Sequence, residues 1–285
     1  MLAQRKLIVS LALFLLAIPA SADSVVYVVN TSQQFGTINL DTGAFAQIGP
    51  NTPEGEQGLV PGPNGSLLTL TYSGNLDAIN PATGATIVIG PTGLASCAAP
   101  TSPCGPTAAN AFAELGGTLY ATDFQNHLYR VNPLNGAATL IGPTGVPALP
   151  ITPGTTNPDG SVNFFDEALF NANGKLYATF DTGKGSPSGV TPVIPAHLYQ
   201  IDPSTGLTTL IGPTTFSLNT AIELNGTVYA FENMTSQVVT LNLANGNTTF
   251  FSNFDTSAGE IGGASPVPEP VSTALAAVGL TAILI

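Results

Sequence analysis

LYRVNPLNGAATLIGPTG, from Leu128 to Gly145, and LYQIDPSTGLTTLIGPTT, from Leu198 to Thr215, are two copies of one pattern, and the pattern decides the fold. Outward from these copies it recurs three more times, and all copies align on a glycine: Gly43, Gly84, Gly136, Gly206 and Gly246. Four residues before each glycine stands Asn39, Asn80, Asn132, Asp202 or Asn242, and five before it Ile38, Ile79, Val131, Ile201 or Leu241. Asn or Asp opens a type I turn, Pro81, Pro133 and Pro203 preset φ for the next position, and glycine closes the loop in a left-handed conformation. Each copy is therefore the turn of a β-hairpin. The strand after it ends at Ile48, Ile89, Ile141, Ile211 or Phe251, and in four copies Gly-Pro stops it, because proline cannot donate to a ladder.

Upstream lie VYVVN, LLTLT, LYATD, LYATF and VYAFE, beginning at Val26, Leu67, Leu119, Leu176 and Val228, with the β-branched and aromatic enrichment of strands. Four of them follow a turn at Gly65, Gly116-Gly117, Asn173-Gly174 or Asn225-Gly226, and before those turns comes one more short strand, clearest in Ala111–Leu115 and Ala221–Leu224. Four antiparallel strands in a repeat of about 40 residues predict an all-β chain, a β-propeller. The first copy has no leading strand, and Ser257–Ser265, left over after the fifth, can supply it. The expected architecture is five four-stranded blades closed by the C-terminal strand, which leaves no open sheet stack.

Composition agrees with this reading. The 285 residues are 44% hydrophobic and only 8% charged, with no tryptophan, which favours a packed β domain over a disordered chain. Residues 1–22 have the form of a secretory signal peptide: Arg5 and Lys6, the apolar run Leu7–Ile18, then Ala20-Ser21-Ala22. Its removal leaves Arg130, Lys175 and Lys184 against 17 acidic residues, a balance that disfavours nucleic acid and anionic membrane surfaces as partners. In an exported chain Cys97 and Cys104, within CAAPTSPC, are expected to form a local disulfide, because two thiols without a nearby His are too few for a metal.

The expected domain organisation is a signal peptide at 1–22, the propeller at 23–265 and a tail at 266–285. The tail reads PVPEPVSTALAAVGLTAILI, and Val267-Pro268-Glu269-Pro270 followed by an apolar stretch resembles the PEP-CTERM sorting signal of Gram-negative bacteria. The resemblance covers about the last 20 residues and departs from the family pattern in lacking a basic cluster after the apolar span. It implies processing by an exosortase, membrane contact through the tail before processing, and a destination at the outer cell surface or in an exopolysaccharide and biofilm matrix.

Binding is expected on one face. The turns joining strands one to two and three to four are tight, and the extra length between Gly84 and Gly206 falls in Cys97–Cys104, Val146–Asn163 and Thr182–Pro195. Loops raised on a rigid scaffold are where binding usually sits. The same face collects Glu54, Glu56, Asp123, Asp159, Asp166, Glu167, Asp181, Glu232, Asp255 and Glu260. Oxygen ligands in such number suit Ca²⁺ or a cationic partner, and equally a solvated acidic rim. His127 and His197 occupy equivalent positions where other copies carry Gln34, Asn75 and Gln237, which marks a polar structural column rather than a metal or catalytic site. No nucleophile elbow, zinc-protease helix or phosphate loop is present. The sequence thus points to a non-enzymatic exported propeller that binds a glycan or another surface partner. The alternative is an extracellular lyase or hydrolase, which requires carboxylates such as Asp166, Glu260 and Glu56 to converge in the central funnel.

Overall fold

The computed structural model describes residues 24–96, 107–146, 162–186 and 189–268, with side chains described except at 162–166 and 181–195. Cys97, Cys104, Asp159, the leader, and the tail from Glu269 onward lie outside the described residues.

Five four-stranded antiparallel sheets are present, with strands numbered in chain order. The first blade holds β1 (Val25–Asn30), β2 (Phe35–Asn39) and β3 (Phe45–Gln47), and its inner position is filled by the last strand, β20 (Ile261–Pro266). The second comprises β4 (Glu56–Pro61), β5 (Leu67–Thr71), β6 (Asn75–Ile79) and β7 (Thr86–Pro91). The third comprises β8 (Ala109–Leu115), β9 (Thr118–Asp123), β10 (His127–Val131) and β11 (Ala138–Pro143). The fourth is β12 (Val162–Ala172), β13 (Lys175–Ser186), β14 (Gly189–Ile201) and β15 (Thr208–Pro213). The fifth is β16 (Thr220–Leu224), β17 (Thr227–Glu232), β18 (Gln237–Leu241) and β19 (Thr248–Asn253). The inner strands β20, β4, β8, β12 and β16 each pack against the next around a closed circle. The chain is a five-bladed β-propeller, closed by pairing Val26–Asn30 with Ile261–Pro266 as the sequence suggested.

Strand alternation builds the core between blades. In β5 every residue is buried. Leu68 and Leu70 pack with Ala109, Phe112 and Leu119 of the third blade, whereas Leu67 joins Val29 and Phe35 of the first. Successive side chains point to opposite faces of a sheet, so a strand between two neighbours is apolar on both.

The repeated turn forms as expected, and it does a second job. Asn39, Asn80, Asn132, Asp202 and Asn242 each accept a backbone N–H two residues on, and their carbonyls accept from the turn glycine at 2.7–2.9 Å. Each turn glycine also presses on the end of the preceding blade. A methyl group on Gly136 would stand 2.3 Å from the Gly90 carbonyl oxygen, and Gly84 meets Ile48 and Gly49, Gly206 meets Gly142, and Gly246 meets Gly212 in the same way. The Gly-Pro that ends four outer strands is thus one half of a glycine-to-glycine seam between blades. At the ring closure Gly43 meets Asn253 instead, and the Asp255 N–H donates to the Gly43 carbonyl at 2.9 Å.

One insertion differs from its expectation as a loop. Thr182–Pro195 continues the ladder of the fourth blade, with Thr182 opposite Ile194, Lys184 opposite Thr191 and Ser186 opposite Gly189. β12 likewise starts early, pairing Val162 with Gly185. Five extra residues of β12 correspond to about 17 Å of strand, so the backbone of this blade projects well past its neighbours. Pairing thus carries the ladder out to Ser186 opposite Gly189 despite Gly183, Gly185 and Pro192 within it.

Candidate functional site

The inner strands enter the ring at one end, and that end is polar. A cavity of about 290 Å³ opens there, walled at the strand entrances by Gln57, Asn110, Glu167, Asn219 and Ile261-Gly262. Thr31, Tyr72 and Asn233-Met234, from the turns joining second to third strands, and Glu260, which precedes β20, complete the wall. At the opposite end of the same channel a smaller cavity of about 130 Å³ is walled by Leu59, Val60, Phe112, Leu169, Phe170 and Ile222 together with the polar Glu114, Asn171, Thr220, Glu223 and Ser265.

Glu167 spans two blades. Its Oε1 accepts the Thr122 hydroxyl at 2.6 Å and its Oε2 accepts the Asn110 amide at 2.6 Å, both from the third blade. It is only 4% exposed, and burial pushes its carboxyl up to about 8, opposed by those two hydrogen bonds and assisted by the nearby Asp123. A carboxyl with that value is mainly protonated at neutral pH. Tyr72, on the same wall, is raised to about 12, first by burial and then by the charge of Glu260. Asn233 is committed to the frame: it donates to the Ile261 carbonyl at 3.1 Å and accepts the Ile261 N–H at 2.9 Å, tying the fifth blade to the closing strand.

The other acidic candidates divide by role. Asp123 accepts the Gln125 and His127 N–H groups, the His127 ring and the Tyr129 hydroxyl, all at 2.9–3.0 Å, and so caps the turn after β9. Glu232 caps the turn after β17 through Met234, Thr235 and the Thr235 hydroxyl. Asn30 and Thr71 hold the equivalent turns through the Gln34 and Asn75 N–H groups. Asp255 caps the short turn Thr256–Ala258 by accepting the Ser257 N–H, which lowers its carboxyl. These acids hold the scaffold.

Glu56 is not on the cavity wall. It lies opposite Thr71, as Asp77 lies opposite Thr69, and alternation puts all four on the face turned toward the first blade. Glu56 is 2% exposed and Asp77 3%, and each has one oxygen without a hydrogen-bond partner. Burial first, then Asp77 and Glu54, raises Glu56 to about 8; burial and Glu54 raise Asp77 to about 6. Glu54 itself holds the Ser73 N–H at 2.8 Å and hydroxyl at 2.6 Å. The set Asp166, Glu260 and Glu56 therefore does not assemble, since Glu56 belongs to a seam. The backbones of Asp166 and Asp181 are paired opposite each other in the fourth blade's projection. Among the described residues no three acids, histidines or cysteines are grouped to hold a metal ion.

Of the sequence candidates, the structure brings Glu167 and Glu260 together at the mouth. The wall residues Gln57, Tyr72, Asn110 and Asn219 are neutral, so no charge marks them in the sequence. The available signal was positional: Gln57, Asn110 and Asn219 stand at the starts of inner strands, the part of each blade that lines the channel.

Fold and mouth define the class, a five-bladed propeller with a polar central funnel. No protein-family model matches the chain, and no curated protein matches it. Among solved structures it is similar to a chain of the nidogen/laminin complex, with 10% identity over 85% of this chain and 97% of that one and a TM-score of 0.49. It is also similar to the PQQ-bound aldose sugar dehydrogenase of Streptomyces coelicolor, with 15% identity over 75% and 85% of the two chains and a TM-score of 0.43. Virginiamycin B lyase of Staphylococcus aureus follows at 14% identity, 82% and 72% coverage and a TM-score of 0.37. Likenesses this distant do not assign a function.

Proposed function

We propose that this chain is an exported propeller of binding type, sorted to the cell surface or matrix through its PEP-CTERM-like tail, and that it holds a glycan in the central funnel. The observation that carries the binding reading is the cavity of about 290 Å³, lined by amides, hydroxyls and two carboxyls and wide enough for a sugar ring. Hydroxyl-rich ligands are held by such convergent neutral donors and acceptors, and a mouth with Gln57, Asn110 and Tyr72 on its wall offers both. The leader and tail supply the address; an exosortase-type enzyme is the partner they call for.

A glycan array probed with the purified propeller domain, with and without Ca²⁺, tests the binding reading. Retention of a glycan under both conditions supports it, and an empty array under both removes it. For sorting, a tagged full-length chain is expected at the surface of a host carrying an exosortase and to stay membrane-bound when that enzyme is deleted. Glu167 and Glu260 on one wall are the observation favouring a hydrolase or lyase instead. Release of reducing ends from a bound glycan, abolished by Glu167→Gln, would establish that reading.

A further inference from the structure

Two seams of the ring can be matched residue by residue. Glu56 lies opposite Thr71 and Glu167 opposite Phe180, the fifth residue of the second strand in each blade, so the two glutamates hold equivalent positions. Both face the preceding blade. Glu167 is received there by two donors, the Thr122 hydroxyl and the Asn110 amide, each at 2.6 Å. The first blade offers Glu56 neither donor. Val29 stands where Thr122 does, and Gly262, bulged between Ile261 and Gly263, stands where Asn110 is bulged between Ala109 and Ala111. A methyl group on Gly262 would already come within 2.5 Å of the Glu56 carbonyl oxygen, so this position has no room for a side chain that could donate.

The same seam holds a second carboxyl. Asp77 stands where the other blades carry Gly36, Tyr129, Tyr199 and Val239, so the pairing of two acids on this face is particular to the second blade. Glu56 Oε2 and Asp77 Oδ1 are buried without a hydrogen-bond partner, in side chains only 2% and 3% exposed. Thr69, on the strand between them, is directly opposite Asp77. Its hydroxyl donates to the Gly58 carbonyl at 2.7 Å, which keeps its own lone pairs available to the seam. Glu54, held by Ser73, adds its charge to that of Asp77 on Glu56. Buried polar atoms are nearly always paired, and an oxygen left over in a native fold points to a bound ion or water. Two such oxygens on separate carboxyls call for positive charge.

We propose that the seam between the first and second blades is a calcium site, with Glu56 and Asp77 as its anionic ligands and Thr69 as a neutral one. Ca²⁺ takes oxygen ligands only, tolerates irregular geometry and completes its shell with water. An ion here ties the blade that holds both ends of the propeller to its neighbour, as protein donors tie the third blade to the fourth. It lies outside the central funnel and is separate from any ligand held there. With calcium removed, protons are what is left to neutralise the two carboxyls.

Thermal unfolding of the purified full chain in chelator and in about 5 mM Ca²⁺, at matched ionic strength, reads the site. Calcium is expected to raise the melting temperature by about 3 °C or more. Isothermal titration should show one ion per chain, with a Kd of about 1 mM or tighter. Glu56→Gln and Asp77→Asn should each lose the gain. Glu167→Gln, at the equivalent position but in a seam supplied with protein donors, should keep it, which separates this site from general attraction of calcium to an acidic chain. Absence of both the gain and the binding isotherm in the wild type would overturn the proposal, and that titration decides even where a variant fails to fold. A gain that survives in both Glu56→Gln and Asp77→Asn would overturn it too. So would a gain lost in Glu167→Gln and kept in the other two, which would move the ion to the funnel.

Discussion

The two ends of the central channel are made by the same five strands and differ in what they can do. At one end Leu59, Phe112, Phe170 and Ile222 narrow the channel to about 130 Å³, and the acids on the same wall, Glu114 and Glu223, are spent on the Gly117 and Asn173 N–H groups at the turns. At the other end Gln57, Asn110 and Glu167 leave a wider, polar cavity. The contrast is one of room and of committed groups: the narrower end spends its acids on turn N–H groups, whereas the wider end is the one at which binding is proposed.

The largest effect expected from a single change lies at the narrower end. Phe112→Ala removes a ring that is 3% exposed and should cost about 3–5 kcal/mol. Chemical denaturation measures the loss, and ligand binding by the folded fraction should persist. A cost below about 1 kcal/mol would break the assignment of this end as structural.

Next comes the seam between blades. Gly136→Ala combines a positive φ of 78° with a methyl group driven against the Gly90 carbonyl, and should cost about 2–4 kcal/mol. The same change at Gly117, where an added Cβ meets nothing within 4 Å, carries the φ cost alone and should be milder, about 1 kcal/mol. Equal losses at the two positions would deny the seam its role.

Acidity should stabilise the fold. Glu56, Glu167 and Asp77 have folded values above those of the free side chains, so the folded state binds more protons. Their contribution is full below about pH 4 and is lost as pH rises through about 6 for Asp77 and about 8 for the two glutamates. Melting temperature should therefore fall between pH 5 and pH 9, and Glu56→Gln should flatten part of that slope. A melting temperature that rises across this window would be incompatible with carboxyls buried in the seam as Glu56 and Asp77 are.

The smallest effect is expected at His127. Its ring meets Asp123 at 3.0 Å, yet equivalent copies carry Gln34 or Gln237. His127→Gln should change stability by about 0.5 kcal/mol or less and leave the mouth untouched.

The hairpins and the Gly-Pro stops could be read from the chain because each is set by local φ preferences or by a missing N–H, and the closing strand because the first copy lacks a leading strand and one segment is left over after the fifth. The glycine-to-glycine seams could not, since Gly90 and Gly136 meet only after two blades stack. The projection of the fourth blade was hidden for a related reason: Gly183, Gly185 and Pro192 argue for a loop until β12 and β13 supply a ladder. At the candidate site, acidic composition singled out Glu167 and Glu260, which line the mouth, along with acids that do not. Asp123, Glu232 and Asp255 turned out to cap turns and Glu56 to sit in a seam, because a carboxylate's role depends on the N–H groups that tertiary structure brings to it.

If the wider end receives ligand and the narrower end only closes the ring, substitutions at the two ends must part company in binding. Gln57 lines the mouth and Phe112 the narrower cavity, so titrating a neutral glycan retained by the array into the wild type, Gln57→Ala and Phe112→Leu separates the two roles. Binding is expected to weaken at least tenfold in Gln57→Ala and to stay within twofold in Phe112→Leu. Binding lost in Phe112→Leu and retained in Gln57→Ala would reverse the roles of the two ends.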